Sequence, residues 1–342
     1  MAVPDDPWDI APEALSACRS DAERWQVLCA WAVLAPSSHN SQPWLFRARG
    51  RQLELLADRR RALPVVDPAG RELVISCGAA LGVMLIAARA LGQGLEVAPL
   101  PDPAEPDLLA RLSLGAALPP PADAAQILAA IKARRTTRRP FPAEALPMDA
   151  IFAADDAALA AGATLRWLIT PRDRYLAAEL IAEADRIQMA DPAFRAELAH
   201  WVRSRHAPSR DGMSGEAVGV PDILSALGAL AIRSFDLGAG QAARDQALAE
   251  GSPALAVLTT PGDAAADWLA AGRALAEVLI TLQRAGLTAS YLNQPIEVPG
   301  LRPRLAAMLG SEEAPQLLLR VGRGPALPPT ARRPVAEVLV HA

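Results

Sequence analysis

The sequence predicts an α+β protein built from two similar halves. Short apolar runs of strand length, among them TLRWLIT, ALAVLTT and QLLLRVG, alternate with long helical patterns. Two of those long helices also repeat one another. Gly78, Leu81, Leu85, Ile86 and Gly92 match Gly272, Leu275, Leu279, Ile280 and Gly286 at one offset of 194 residues. Each helix ends at a glycine suited to the position just past a helix C-terminus, and an extended apolar segment follows each. Apolar helices align easily by chance, so the shared ending and the strand after it carry the argument. A duplication of this kind implies halves that pair as the subunits of a homodimer would.

Residues 12–34 read as a helix, and APSSHNSQPW, Ala35 to Trp44, as an ordered loop bracketed by Pro36 and Pro43. WLFRARGRQLELLADRRR alternates around Gly50 as a hairpin does. A long apolar helix, roughly Arg71 to Leu91, leads to a strand near Leu95 to Ala98. Residues 99–125, with PDPAEPD and LPPPAD, read as a proline-rich connection. This divides the chain into residues 1–123 and 124–342. The second part opens with a helix from about Ala124 and RRTTRRPF, followed by the strand TLRWLIT and a helix through about Trp201. SRHAPSRDGMSGEAVGVPD, within about 201–222, reads as a long loop or lid. A strand (ALAVLTT), a helix over residues 263–285 and the strand QLLLRVGRG complete the pattern.

Composition narrows the function. About half of the 342 residues are apolar, enough for a large core. The net charge of −4, from nearly balanced acids and bases, argues against a nucleic-acid binder. Cys18, Cys29 and Cys77 are odd in number and form no C-x-x-C pair, which points to reduced thiols in a cytoplasmic protein. The acidic start MAVPDDPWDI is unlike a signal peptide, and Ile75 to Leu91 is read as a buried core helix, not a membrane span. The four histidines lack metal-ligand spacing, so no metal is expected. No P-loop and no G-x-G-x-x-G after a strand is present, and Cys77 reads as a buried helix residue.

Two constellations suggest chemistry. In the first loop Ser37, Ser38, Asn40 and Gln42 are held between rigid prolines and offer many hydrogen bonds over a short span. RRTTRRPF sets Arg134, Arg135, Arg138 and Arg139 around the hydroxyls of Thr136 and Thr137, a set that suits phosphate oxygens as well as a solvated helix end. A later group comprises Arg320, Arg323, Arg332 and Arg333, and NQP at Asn293 to Pro295 echoes the first loop.

With these motifs the sequence resembles the flavin-dependent nitroreductase family. That family carries an R-R-S-x-R motif and a P-S-x-x-N-x-Q-P-W loop. RRTTR, Arg134 to Arg138, matches the first with Thr136 in place of serine, and PSSHNSQPW, Pro36 to Trp44, matches the second. LLLRVGRGP and RRPVAEVL look like the family's C-terminal end. Here the loop precedes the arginine motif, an order that resembles the fused, Acg-like branch in which one chain mimics a nitroreductase dimer. The resemblance implies a nitroreductase-like α+β fold and one FMN per chain. Arg134, Arg135, Thr136, Arg138, Arg320, Arg332 and Arg333 would balance the phosphate and flavin charge, while Ser37, Ser38, Asn40 and Gln42 would hold the phosphate arm or ring edge. It implies hydride transfer from NAD(P)H to a nitro or quinone-type aromatic acceptor, with no side-chain acid or base assigned. The alternative is a protein that stores or sequesters FMN with little turnover. A monomer acting as a pseudo-dimer is expected, with neither membrane nor nucleic acid as partner.

Overall fold

The computed structural model describes residues 3–203, 209–214, 232–234 and 236–341. After α1 (Asp21–Ala32), the strands β1 (Trp44–Arg49) and β2 (Gln52–Ala57) form a tight antiparallel hairpin. Gly50 makes its turn possible by taking a φ of 57°. Then come α2 (Arg71–Ala90), β3 (Gln93–Pro99) and β4 (Leu108–Ala117), and β4 slots between β2 and β3. The region expected to be only a connection therefore holds a central strand. Prolines crowd its two ends and mask ten residues that bury alternate side chains.

The remaining elements are α3 (Ala124–Ala133), α4 (Met148–Ala160), β5 (Thr164–Leu168), α5 (Pro171–Ala190), α6 (Pro192–Trp201), β6 (Val202–Arg203) and β7 (Met213–Ser214). They continue with α7 (Gly238–Glu250), β8 (Ala254–Thr260), α8 (Ala265–Arg284), β9 (Thr288–Tyr291), α9 (Gln294–Glu297), α10 (Arg302–Leu309), β10 (Ala314–Gly322), α11 (Val335–Val338) and β11 (Leu339–His341). The single helix expected before Trp201 is two helices, because Pro192 breaks it. Asp191 caps the second, its side chain accepting from the Ala193 amide at 2.8 Å. Of the segment expected to form a lid, residues 204–208 and 215–222 lie outside the described residues.

The two main sheets share a strand order. The first runs β1-β2-β4-β3 and the second β5-β8-β10-β9, antiparallel throughout, each with its long helix between the second and third strand in sequence. The C-terminal β11 then crosses to the first sheet and pairs parallel with β1, Phe46 opposite Leu339.

The helices α2 and α8 cross at glycines. A Cβ on Gly78 would lie 2.5 Å from the Leu269 carbonyl oxygen, and one on Gly272 would collide with the Ile75 carbonyl oxygen. Ile75 and Leu269 are themselves 194 residues apart, so the contact is reciprocal in the way a two-fold interface is. Only glycine lets the backbones approach this closely. The α2 helix is long and apolar enough to cross a membrane, but 89% of that stretch is buried inside the protein. It serves as the core helix, packed with α8 among residues from both sheets.

Candidate functional site

The loop after α1 takes an unusual path. His39, Asn40 and Gln42 all adopt positive φ near 53°, a conformation costly for residues other than glycine and tolerated best by asparagine. Hydrogen bonds hold it there. Ser37 Oγ accepts from the Gln42 amide at 2.9 Å, and Ser38 Oγ donates to Glu72 Oε2 at 2.6 Å. Asn40 Nδ2 donates to Gly212 O at 3.0 Å and Ala331 O at 3.2 Å, while its Oδ1 accepts from Arg332 Nη1 at 3.0 Å. Gln42 Nε2 donates to Arg210 O at 2.8 Å, and its Oε1 accepts from the Arg333 amide at 2.8 Å. Asn40 and Gln42, expected at a phosphate arm or ring edge, thus clamp the C-terminal segment and residues 210–212 to the loop.

Beside this loop the arginines gather. The α3 helix stops at Arg134, and Thr136 continues as a parallel bridge to Ala289 on β9. Arg134 Nη2 and Arg332 Nη2 both donate to one oxygen, Leu34 O, at 3.3 and 3.4 Å. Trp8 lies between two guanidinium groups, with Arg135 at 4.5 Å and Arg332 at 5.3 Å from its ring. Arg135 also donates to Leu327 O at 3.2 Å and Lys132 O at 2.7 Å. Among the described residues none of Arg134, Arg135, Arg138, Arg320 and Arg332 has a carboxylate within ion-pair distance, although Arg134, Arg320 and Arg332 are buried. Arg333 differs, pairing with Glu337 at 3.4 Å.

Burial makes these charges costly. It pulls Arg332 down to about 9, with repulsion from Arg134 and Arg135 adding to the effect, and Arg320 to about 10. Each is still cationic at neutral pH. Arg332 Nε, Arg320 Nε and Nη1 and the Tyr291 hydroxyl are buried without a partner among the described residues. Uncompensated buried cations with idle N–H groups cost several kcal/mol unless an anion joins them. The donor set fits a phosphate.

The group borders a cavity of 310 Å³, a size at which small-molecule sites begin. Ser37, Ser38, His39, Arg138, Tyr291 and Arg320 line it. Arg138 Nη2 lies 3.6 Å from Met213 Sδ, whereas Arg139 is exposed. Of the sequence-derived residues, the structure brings Ser37, Ser38, Arg138 and Arg320 to the cavity. It sets Arg134, Arg135, Thr136 and Arg332 behind them, and Asn40, Gln42 and Arg333 in the clamp.

Sequence reasoning missed Trp8, Tyr291 and a set of acids: the buried Glu72, Asp185 and Asp245 and the half-buried Glu297 all line the cavity. Their one sequence signal was a carboxylate on an otherwise apolar helix face. Cys77 is buried, as expected, with its thiol donating to Pro43 O at 3.2 Å.

No model of a known protein family matches the sequence. Full-length relatives do. A Mycobacterium tuberculosis H37Rv protein provisionally named NAD(P)H nitroreductase Rv3131 is 33% identical over 337 residues, 96% of this chain and 94% of that one. A second from the same organism, provisionally named NAD(P)H nitroreductase acg, is 31% identical over 323 residues, covering 90% of this chain and 92% of its own. Among solved structures, the FMN and NADPH-dependent nitroreductase NfnB from sphigopyxis sp. strain HMH gives a TM-score of 0.41 at 18% identity, covering 63% of this chain and 97% of that chain. A nitroreductase with bound FMN from Bacteroides fragilis gives 0.36 at 12%, covering 58% and 88%. Those structural likenesses are partial, and the weight rests on the full-length relatives. The site is one for an anionic ligand in a two-sheet α+β scaffold. The chain belongs to the nitroreductase family, and its full-length relatives include Acg.

Proposed function

We propose that this protein is an FMN-dependent oxidoreductase that passes hydride from NAD(P)H to a nitro- or quinone-type acceptor. One observation carries the reading. The buried guanidinium groups of Arg134 and Arg332, fixed on Leu34 O without carboxylate partners among the described residues, act on Tyr291, which lines a cavity of ligand size. The names of the relatives point the same way.

Arg134, Arg135, Thr136 and Arg332 would hold the phosphate, and the Tyr291 hydroxyl is free to donate beside them. Ser37, Ser38 and Arg138 would lie along the ring. FMN supplies the two-electron chemistry when bound, and the protein supplies position and electrostatics. Arg138, half-buried on the cavity wall and without a carboxylate partner among the described residues, stabilises negative charge that develops beside it. Met189, Phe194, Leu198 and Leu275 keep the cavity wall dry.

We further propose that residues 1–123 and 124–342 stand to each other as two nitroreductase subunits do, giving a monomer with one site. The shared strand order and the reciprocal glycine crossing support this. The three free cysteines agree with a cytoplasmic enzyme.

The test is the flavin content of purified protein, followed by stopped-flow mixing with NADPH. About one FMN per chain and bleaching within seconds are expected. A yellow protein that does not bleach would be a store for FMN, and a colourless one that takes up no FMN would end the proposal.

A further inference from the structure

Two carboxylates that play no part in anion binding share a wall of the cavity. Asp185 stands on α5 and Asp245 on α7. A single amide joins them: Gln294 Nε2 donates to Asp185 Oδ1 at 3.1 Å and to Asp245 Oδ2 at 2.9 Å. The same Asp245 oxygen accepts from Gln241 Nε2 at 2.7 Å. Asp185 is 3% exposed and Asp245 7%. Among the described residues Asp185 Oδ2 is buried without a partner, although its residue lines the cavity, and Gln294 Oε1 is likewise unpaired.

Two ionised carboxylates drawn to one amide in a dry wall repel strongly, and one proton between them relieves the repulsion. Their surroundings decide which oxygen carries it. Burial raises Asp245 as well, but the Gln241 amide, Arg244 on its own helix, Arg138 from the arginine motif and Arg320 from β10 all oppose that rise, so the proton is assigned to Asp185. Asp185 has Arg186 beside it and the charge of Asp245 against it. Among the described residues the other ionisable groups on the cavity, besides those arginines, are Glu72 on α2, Glu297 on α9, the Tyr291 hydroxyl, which burial pushes up, and His39, kept neutral by burial.

We propose that Asp185 and Asp245 share one proton against the cavity, carried on Asp185 Oδ2, and that Asp185 gives it to an oxygen of the acceptor reduced there. The proposal rests on the hydride-transfer reading above. Reduction of a quinone to its hydroquinone takes one hydride and one proton. The hydride, with its electron pair, comes from NAD(P)H, which leaves as NAD(P)⁺. The Asp185 O–H bond breaks with its electrons kept on the carboxylate, a new O–H bond forms on the acceptor, and solvent returns the proton to Asp185. Burial first, then the charge of Asp245, place the Asp185 carboxyl at about 8, where a general acid for neutral solution belongs. Unlike the sequence reading, this assigns a side-chain acid.

The experiment uses the full-length, FMN-loaded protein labelled at its aspartate carboxyl carbons and followed by NMR from pH 5 to 10. One carboxyl resonance should titrate near pH 8, vanish in Asp185→Asn and move to lower pH in Asp245→Asn. Turnover with a quinone should fall above that midpoint. Asp185→Asn should lower kcat roughly hundredfold and flatten the profile, and Asp185→Glu should recover part of the rate. Aspartates all ionised by pH 6, or an Asp185→Asn enzyme with unchanged kcat and pH profile, would overturn the proposal. A titration near pH 8 in a protein that never consumes NADPH would overturn the hydride reading and the delivery step, while the shared proton would stand.

Discussion

The two sheets thread their strands in the same order, yet only the second opens between its first and second strand. In the first sheet β1 reaches β2 through the tight turn at Gly50. In the second, residues 169–253 separate β5 from β8 and bring in α5, α6 and α7. Asp185, Gln188, Met189, Gln241, Arg244 and Asp245 all reach the cavity from this insertion. The first sheet offers nothing equivalent; its contribution is the loop of Ser37 and Ser38 and the buried start of α2. The scaffold repeats, and the cavity sits where the repeat is broken.

The comparison breaks most easily at the helix crossing. Gly272→Val drives a branched side chain into the Ile75 carbonyl, and a loss of about 3 kcal/mol or more is expected in urea unfolding. Gly78→Val should cost a similar amount against Leu269. Markedly unequal losses would sink the idea that the crossing is a true axis.

Next in size is Arg332→Leu, which asks whether the arginine group serves the ligand or the fold. FMN affinity should fall about a hundredfold, the worth of one or two charge-assisted hydrogen bonds. The flavin-free protein should melt at the same temperature or higher, because an uncompensated buried charge has gone. A lower melting temperature without flavin would make Arg332 structural.

The smallest effect separates two titrations of opposite sign. Burial holds His39 at about 4, below its ordinary 6.5. The unfolded chain therefore takes that proton first, and stability is lost as pH falls from 6.5 towards 4. Asp185 is raised from 3.8 to about 8, so its contribution is present below 3.8 and lost as pH rises from there through 8. In a plot of urea midpoint against pH, His39→Gln should flatten the loss on acidification below 6.5, and Asp185→Asn the opposing loss as pH rises to 8.

Periodicity made most of the fold legible: α2, α8 and the strands β5, β8 and β10 fall where the pattern placed them. It failed at β4, where flanking prolines read as a linker although the ten residues between them complete the first sheet. It also left α4 unassigned. In the site, Ser37, Ser38 and Arg138 were legible because prolines and clustered guanidinium groups are unusual in so apolar a chain. Asp185 and Asp245 were not. A carboxylate on an amphipathic helix looks like surface until tertiary packing turns that face inward.

The crossing of β11 to the side of β1 has a consequence for biosynthesis. A ribosome delivers the Pro36–Pro43 turn hundreds of residues before the strand that completes its sheet and the segment at 332 and 333 that hydrogen-bonds to it. The loop that lends Ser37 and Ser38 to the cavity is thus tied down by some of the last residues to be translated. A nascent chain stalled before residue 330 would leave that loop without those ties.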